Sequence, residues 1–161
     1  MMTEELVEAR LEALRQLLAS AEADFEILRH EMTYASAEDG AAHGVGTLPE
    51  MAPTFILQTE RGPLAVVISG TTRLAYKKIK KRLGLRDVAL ASPRQVIEIT
   101  GSEVGTVSLV QASLPTLLDT RLLKLGQVFG GCGVPRHTLR IRVADLARIT
   151  QAEVFDLAVD K

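Results

Sequence analysis

Apolar residues along this chain recur with two periods, and the changes of period mark out its elements. Over residues 3–19, Leu6, Leu11, Leu14, Leu17 and Leu18 fall on one stripe at helical spacing. Thr3 is placed to cap that helix, and Glu4 and Glu5 sit favourably in its first turn. Phe25, Ile27 and Leu28 then suggest a short strand within residues 25–31. Ser36 can cap a helix of small residues running to Ala42, which Gly44, Val45 and Gly46 end, and residues 47–53 read as a loop. Residues 54–59 and 64–69 are β-rich runs separated by Glu60-Arg61-Gly62-Pro63, the strongest hairpin signal in the chain. Both runs are apolar almost without interruption, so they are expected near the centre of a sheet, covered on both faces.

Residues 74–83 predict a helix with Leu74, Ile79 and Leu83 inward and Gly84 as its stop. A short strand at 88–91 follows, and then Ser92, Pro93 and Gln95 supply the capping box of another helix. Its Val96 and Ile99 point inward, and Gly101 is placed to end it with a left-handed cap. Residues 114–118 suggest a strand broken at its start by Pro115, residues 119–125 a helical turn capped by Asp119, and residues 127–129 a strand. Leu139, Ile141 and Val143 alternate with Arg140 and Arg142 across 138–143, as a half-exposed strand should. Residues 144–149 form a last short helix, and 153–158 a strand or extended segment. Hairpins interleaved with helices favour an α+β fold, with a mixed, largely antiparallel sheet and flanking helices, over a doubly wound one. One domain is expected over residues 1–161, with residues 1–20 as its N-terminal helix. The leucines of that helix offer either core positions or the surface of a homodimer.

The composition, 47% hydrophobic and 24% charged, is that of an ordinary globular protein. A net charge of −1 supplies no overall basic field, so contact with nucleic acid must come from a local patch. One candidate exists: Arg73, Lys77, Lys78, Lys80, Lys81, Arg82 and Arg86 are opposed only by Asp87. It reads either as a solvated outer face or as a phosphate-binding patch. Cys132 is the only cysteine, which excludes an intrachain disulfide and a cysteine-rich zinc site. His30, His43 and His137 lack metal-ligand spacing, and neither a P-loop nor a dinucleotide fingerprint is present. No metal and no cofactor are expected. No stretch is long enough to span a bilayer and the N-terminus is not a signal peptide, so a soluble cytoplasmic protein with no membrane partner is expected.

Two glycine-bearing segments could carry chemistry. In Thr100 through Leu109, reading TGSEVGTVSL, Gly105 is followed by small and β-branched residues. Such a segment lets the backbone approach a ligand and aim N–H groups at it, or it is simply a loop between helix and strand. Gly130-Gly131-Cys132-Gly133 either exposes Cys132 as a nucleophile near His137 or holds an incidental buried thiol. The residues read alone stop there, short of a function.

Several stretches taken together resemble the YbaK/ProX-type aminoacyl-tRNA deacylase domain, which also occurs inserted in some prolyl-tRNA synthetases. They are Ser36-Ala37-Glu38-Asp39 with Ala41-Ala42, Leu74-Ala75-Tyr76-Lys77-Lys78, and Leu90-Ala91-Ser92-Pro93 onward to Val96. Thr100 through Ser108, Gly130-Gly131, Leu146 through Thr150 and Ala152 through Leu157 complete the set. The order and spacing hold from about residue 25 to the end of the chain.

The resemblance implies a mixed α/β domain that hydrolyses the ester joining a mischarged amino acid to tRNA, acting as a free-standing trans-editing enzyme. It assigns the catalytic main-chain groups to Gly105, Thr106, Val107 and Ser108, and substrate contacts to Thr54, Ser36, Gly101 and Gly131. The acceptor phosphates of the tRNA partner would meet Lys77, Lys78 and Lys81. Two departures from the family pattern stand out. Pro53 occupies the place of a functional lysine that usually precedes the Thr or Ser opening the central strand, and proline offers neither charge nor N–H. Leu109 replaces the proline of the family's GxxxP loop, which predicts a less rigid loop and an altered pocket, and Gly105-Thr106 replaces a glycine pair. The alternative these departures imply is a catalytically silent module that binds aminoacyl-tRNA or a small molecule.

Overall fold

The computed structural model describes residues 2–34 and 36–161. Its first helix, α1 (Glu4–Ser20), begins where the Thr3 hydroxyl accepts a 3.1 Å hydrogen bond from the Leu6 N–H. Leu11, Leu14 and Leu18 are its buried stripe, while Leu6 and Leu17 stay exposed at 42% and 38%. The apolar stripe is thus narrower than the sequence spacing suggests. Strand β1 (Phe25–Arg29) follows, then α2 (Ala37–Ala42), whose N–H at Asp39 is capped by Ser36 at 3.0 Å.

The expected hairpin is formed by β2 (Thr54–Thr59) and β3 (Gly62–Val67), paired antiparallel from Thr54↔Val67 to Thr59↔Gly62. Its turn is tighter than the sequence suggests, because Gly62 takes φ +105° and lets the second strand begin at once. The strand β4 (Thr72–Leu74) comes next, so helix α3 (Tyr76–Leu83) starts two residues later than its hydrophobic pattern predicts. Then come β5 (Val88–Leu90) and α4 (Pro93–Thr100), with the Ser92–Gln95 capping box formed in both directions. Gly101 ends α4 at φ +74°, as its position predicted.

The remaining elements are β6 (Thr116–Asp119), β7 (Gln127–Gly131), β8 (His137–Arg142), α5 (Val143–Thr150), β9 (Glu153–Phe155) and β10 (Ala158–Asp160). Strand β7 runs through both glycines that sequence reasoning placed in a loop. The C-terminal segment expected as one strand is two, and they belong to different sheets.

Five strands form a sheet in the order β5-β2-β3-β6-β9. Its β3–β6 and β6–β9 pairs are parallel, and its β2–β3 and β2–β5 pairs are antiparallel. A three-stranded antiparallel sheet, β1-β8-β7, and the two-stranded β10-β4 ribbon complete the mixed α+β architecture. Strand β3 shows why its sequence is uninterrupted in hydrophobicity. Leu64, Val66 and Ile68 pack into a core with Ile79 of α3 and Phe155 of β9. Ala65 and Val67 face the opposite side, Val67 meeting the α1 leucines and the β7–β8 sheet and Ala65 meeting Val96 of α4. A strand buried on both faces has no polar positions to alternate.

Candidate functional site

A cavity of about 660 Å³ opens where the ends of β2, β3 and β4 meet α2, the loop after α4 and the β7–β8 strands. That volume is within the range of small-molecule sites. Its inner wall includes the buried Ile56, Ile68 and Val107, and Phe129 and Met51 close one side.

The loop wall is built by backbone packing. Leu109 is fully buried and its N–H donates to the Gly131 carbonyl at 3.0 Å. A Cβ on Gly130 would come within 2.5 Å of the Leu109 side chain, and one on Gly131 within 2.1 Å of the Val107 carbonyl oxygen. The two glycines therefore let residues 106–109 lie directly against β7. Thr106 is tied on both sides, its N–H and hydroxyl donating to the Glu103 carbonyl and its own carbonyl accepting from the Gly133 N–H. Gly105 and Val107 face the cavity. Among the described residues, neither of their N–H groups has a hydrogen-bond acceptor. Leu109 is thus a core residue, and it does not line the cavity.

The opposite wall carries side chains. Pro53 and Thr54 line it at the start of β2. The Thr54 hydroxyl is the one buried side-chain polar atom without a partner among the described residues. An orphaned hydroxyl costs about 1–3 kcal/mol, so its persistence beside the cavity is notable. Arg73 of β4 is exposed and also lines the cavity, as do Tyr76, Glu38 and Lys161, the last two joined in an ion pair. That pairing holds the Glu38 carboxyl below its ordinary pKa.

His137 and Thr138 open β8 at the cavity edge. The Nδ1–H of His137 donates to the Pro135 carbonyl at 2.9 Å, which in the neutral ring leaves Nε2 as the unprotonated nitrogen. The Thr138 hydroxyl bonds His30 Nε2 at 2.8 Å. Burial, and then the nearness of His137, push the His30 pKa below the ordinary histidine value. Tyr34, also at the cavity, lies between His30 and His43, with ring centroids 4.7 and 4.6 Å away.

The residues singled out in the sequence separate clearly. Gly105, Val107, Thr54, Ser36 and Gly131 meet at the cavity. Thr106, Ser108 and Gly101 do not line it. Ser108 instead accepts from the Val110 N–H at 3.1 Å, and the Gly101 carbonyl accepts from Arg10 at 2.9 Å. Lys77 and Lys81 are exposed on α3, outside the cavity. Lys78 is held by both Asp156 oxygens and the Ala158 carbonyl, each at 2.9 Å, so its charge is already satisfied. Cys132 is buried, and burial raises its pKa to about 12, which removes the nucleophilic alternative. The described residues contain no cluster fit for a metal ion, and no helix is long and apolar enough to cross a membrane. Tyr34 and Tyr76 had no assigned role in the sequence, His137 figured there only as a neighbour of Cys132, and Arg73 belonged to the basic segment read either as a solvated outer face or as a phosphate-binding patch.

Solved structures share this fold. A hypothetical protein superposes with a TM-score of 0.84 at 27% identity, covering 91% of this chain and 99% of its own. A protein put forward as a trans-editing enzyme for prolyl tRNA synthetase superposes at 0.82 with 22% identity, covering 99% of both chains. The family model of the aminoacyl-tRNA editing domain matches residues 31–149, a span that includes α2, the β2–β3 hairpin, the loop wall and β8. The chain belongs to the aminoacyl-tRNA editing domain family.

Proposed function

We propose that this protein is an aminoacyl-tRNA deacylase that hydrolyses the ester of mischarged tRNA. The observation that supports the reading is that Gly105 and Val107, whose N–H groups have no hydrogen-bond acceptor among the described residues, line one wall of the cavity. An aminoacyl ester is an activated acyl group, so a site needs chiefly to position a water and stabilise the oxyanion. The water adds to the ester carbonyl, whose oxygen takes up negative charge opposite the two N–H donors. The bond to the ribose oxygen then breaks, the ribose oxygen gains a proton, and a free amino acid and tRNA remain. The imidazole of His137, oriented by the Pro135 carbonyl, is the side chain suited to accept the water's proton. This scheme needs no cation at position 53.

The test is deacylation of a panel of mischarged tRNAs, including alanyl- and cysteinyl-tRNA for proline. Hydrolysis of one member supports the reading and names the substrate. No hydrolysis at enzyme concentrations sufficient for an active relative removes it. Pro53 favours the second reading, a binding module without chemistry, and Pro53→Lys separates the two: activity that appears only in the variant supports the silent module.

A further inference from the structure

Resting on the editing reading, we infer that Arg73 is the anchor for the phosphodiester of the tRNA's terminal nucleotide at the mouth of the cavity. The inference begins with the charge of the cavity wall. Lys161 is neutralised by Glu38, and position 53 is a proline. Arg73 also lines the cavity, and among the described residues its guanidinium has neither a hydrogen bond nor an ion pair. The cavity wall thus presents one uncompensated positive charge, at an exposed position rather than on the buried inner wall.

Of the neighbouring cations, Lys77, Lys80 and Lys81 lie outside the cavity, and others are engaged. Lys78 is bound to Asp156, Arg82 to Glu153 at 3.2 Å, and Arg61 to the Leu83 and Gly84 carbonyls. These side chains tie α3 to the rest of the fold. Arg73 ties nothing. Its backbone, paired with Val159 of β10, fixes where the charge sits.

The amino-acid part of the ligand cannot be the partner, because its free α-amino group is cationic and its carboxyl is esterified. The negative charge nearest that ester is the phosphate linking the last nucleotide to the one before it. A guanidinium grips such an oxyanion through two parallel N–H donors. With the ester at the Gly105–Val107 wall, Arg73 at the rim is the cation the cavity offers to that phosphate.

The experiment measures binding of uncharged tRNA, and of the same tRNA lacking its terminal adenylate, to the wild type, Arg73→Ala and Arg73→Lys. Arg73 lacks side-chain partners among the described residues, so both variants should melt as the wild type does. The wild type should lose about tenfold in affinity when the terminal adenylate is removed. Arg73→Ala should bind both tRNAs alike at that weaker level, with its salt slope reduced by about 0.7, the value for one phosphate on a single strand. Arg73→Lys should recover part of the loss. In deacylation, Arg73→Ala should raise KM and leave kcat unchanged. Equal binding by Arg73→Ala and wild type overturns the assignment. So does a loss in Arg73→Ala that is the same on both tRNAs, which would place Arg73 elsewhere along the strand. A wild type that binds no tRNA at all fails earlier and takes the editing reading with it.

Discussion

The two walls of the cavity are built on opposite principles. The loop wall, residues 105–109 against Gly130 and Gly131, is backbone pressed on backbone and pinned by a buried leucine. The wall of Pro53, Thr54 and Arg73 is made of side chains, and its β4–β10 ribbon pairs only three residues on each strand. The first wall can hold N–H groups still while charge develops on a substrate. On the proposed reading, positioning falls to the first wall and selectivity to the second, and that division can be broken experimentally.

The largest effect should come from Leu109→Ala. Leu109 is fully buried among core neighbours, so truncation should cost about 2–5 kcal/mol. Thermal or denaturant unfolding reads this loss. If the loop wall is positional, kcat should fall further than the unfolded fraction explains. Retained kcat at temperatures where the variant is folded would break the comparison.

Gly131→Ala should come next. Its Cβ would meet the Val107 carbonyl oxygen at 2.1 Å, and the backbone must shift to relieve it. Overpacking of this kind costs about 1–3 kcal/mol, and here it moves the donor at Val107 as well. Gly126→Ala is the matched control, because nothing lies within 4 Å of the added carbon. Deacylation should collapse in the first variant and persist in the second.

Thr54→Val should act in the opposite sense on stability. Replacing the orphaned hydroxyl with a methyl removes an unsatisfied polar group and should stabilise the fold by about 1 kcal/mol. A simultaneous rise in KM would mean that the hydroxyl turns toward the substrate when the cavity fills. Stabilisation without kinetic change would leave Thr54 a structural residue.

The loop wall was also the more legible in sequence. The Ser92–Gln95 capping box and Gly101 fixed the two ends of α4, and Gly105 was singled out at the cavity it lines. What the sequence did not disclose was why Gly130 and Gly131 are paired, because that depends on a contact with Val107 and Leu109 more than twenty residues away. The β4–β10 ribbon was missed for a related reason. Leu74 fits the helical spacing of Ile79 and Leu83, and only pairing with Ala158 makes it a strand residue. Arg73 consequently read as one more cation of a helical segment that was either a solvated face or a phosphate-binding patch. Lys78 shows the reverse error: an apparent free cation whose acceptors lie at Asp156 and Ala158, distant in sequence.

The smallest effect is a pH dependence at the edge of the side-chain wall. His30 is bonded to Thr138, and burial and His137 lower its pKa below the ordinary value of 6.5. The folded state therefore prefers the neutral ring. Above pH 6.5 both folded and unfolded chains hold it neutral, and this contribution is complete. As pH falls through 6.5, the unfolded chain takes up the proton first, and stability drops until the folded ring also protonates. The carboxylates with lowered pKa values, among them Glu60 at about 2, act only below about pH 4.5 and leave that window clear. The midpoint of thermal unfolding should thus decline between pH 7 and pH 5, and His30→Gln should flatten the slope while keeping a donor for Thr138. A slope unchanged in His30→Gln would move the acid sensitivity to another group and leave Thr138, and the edge of the cavity it forms, indifferent to protonation.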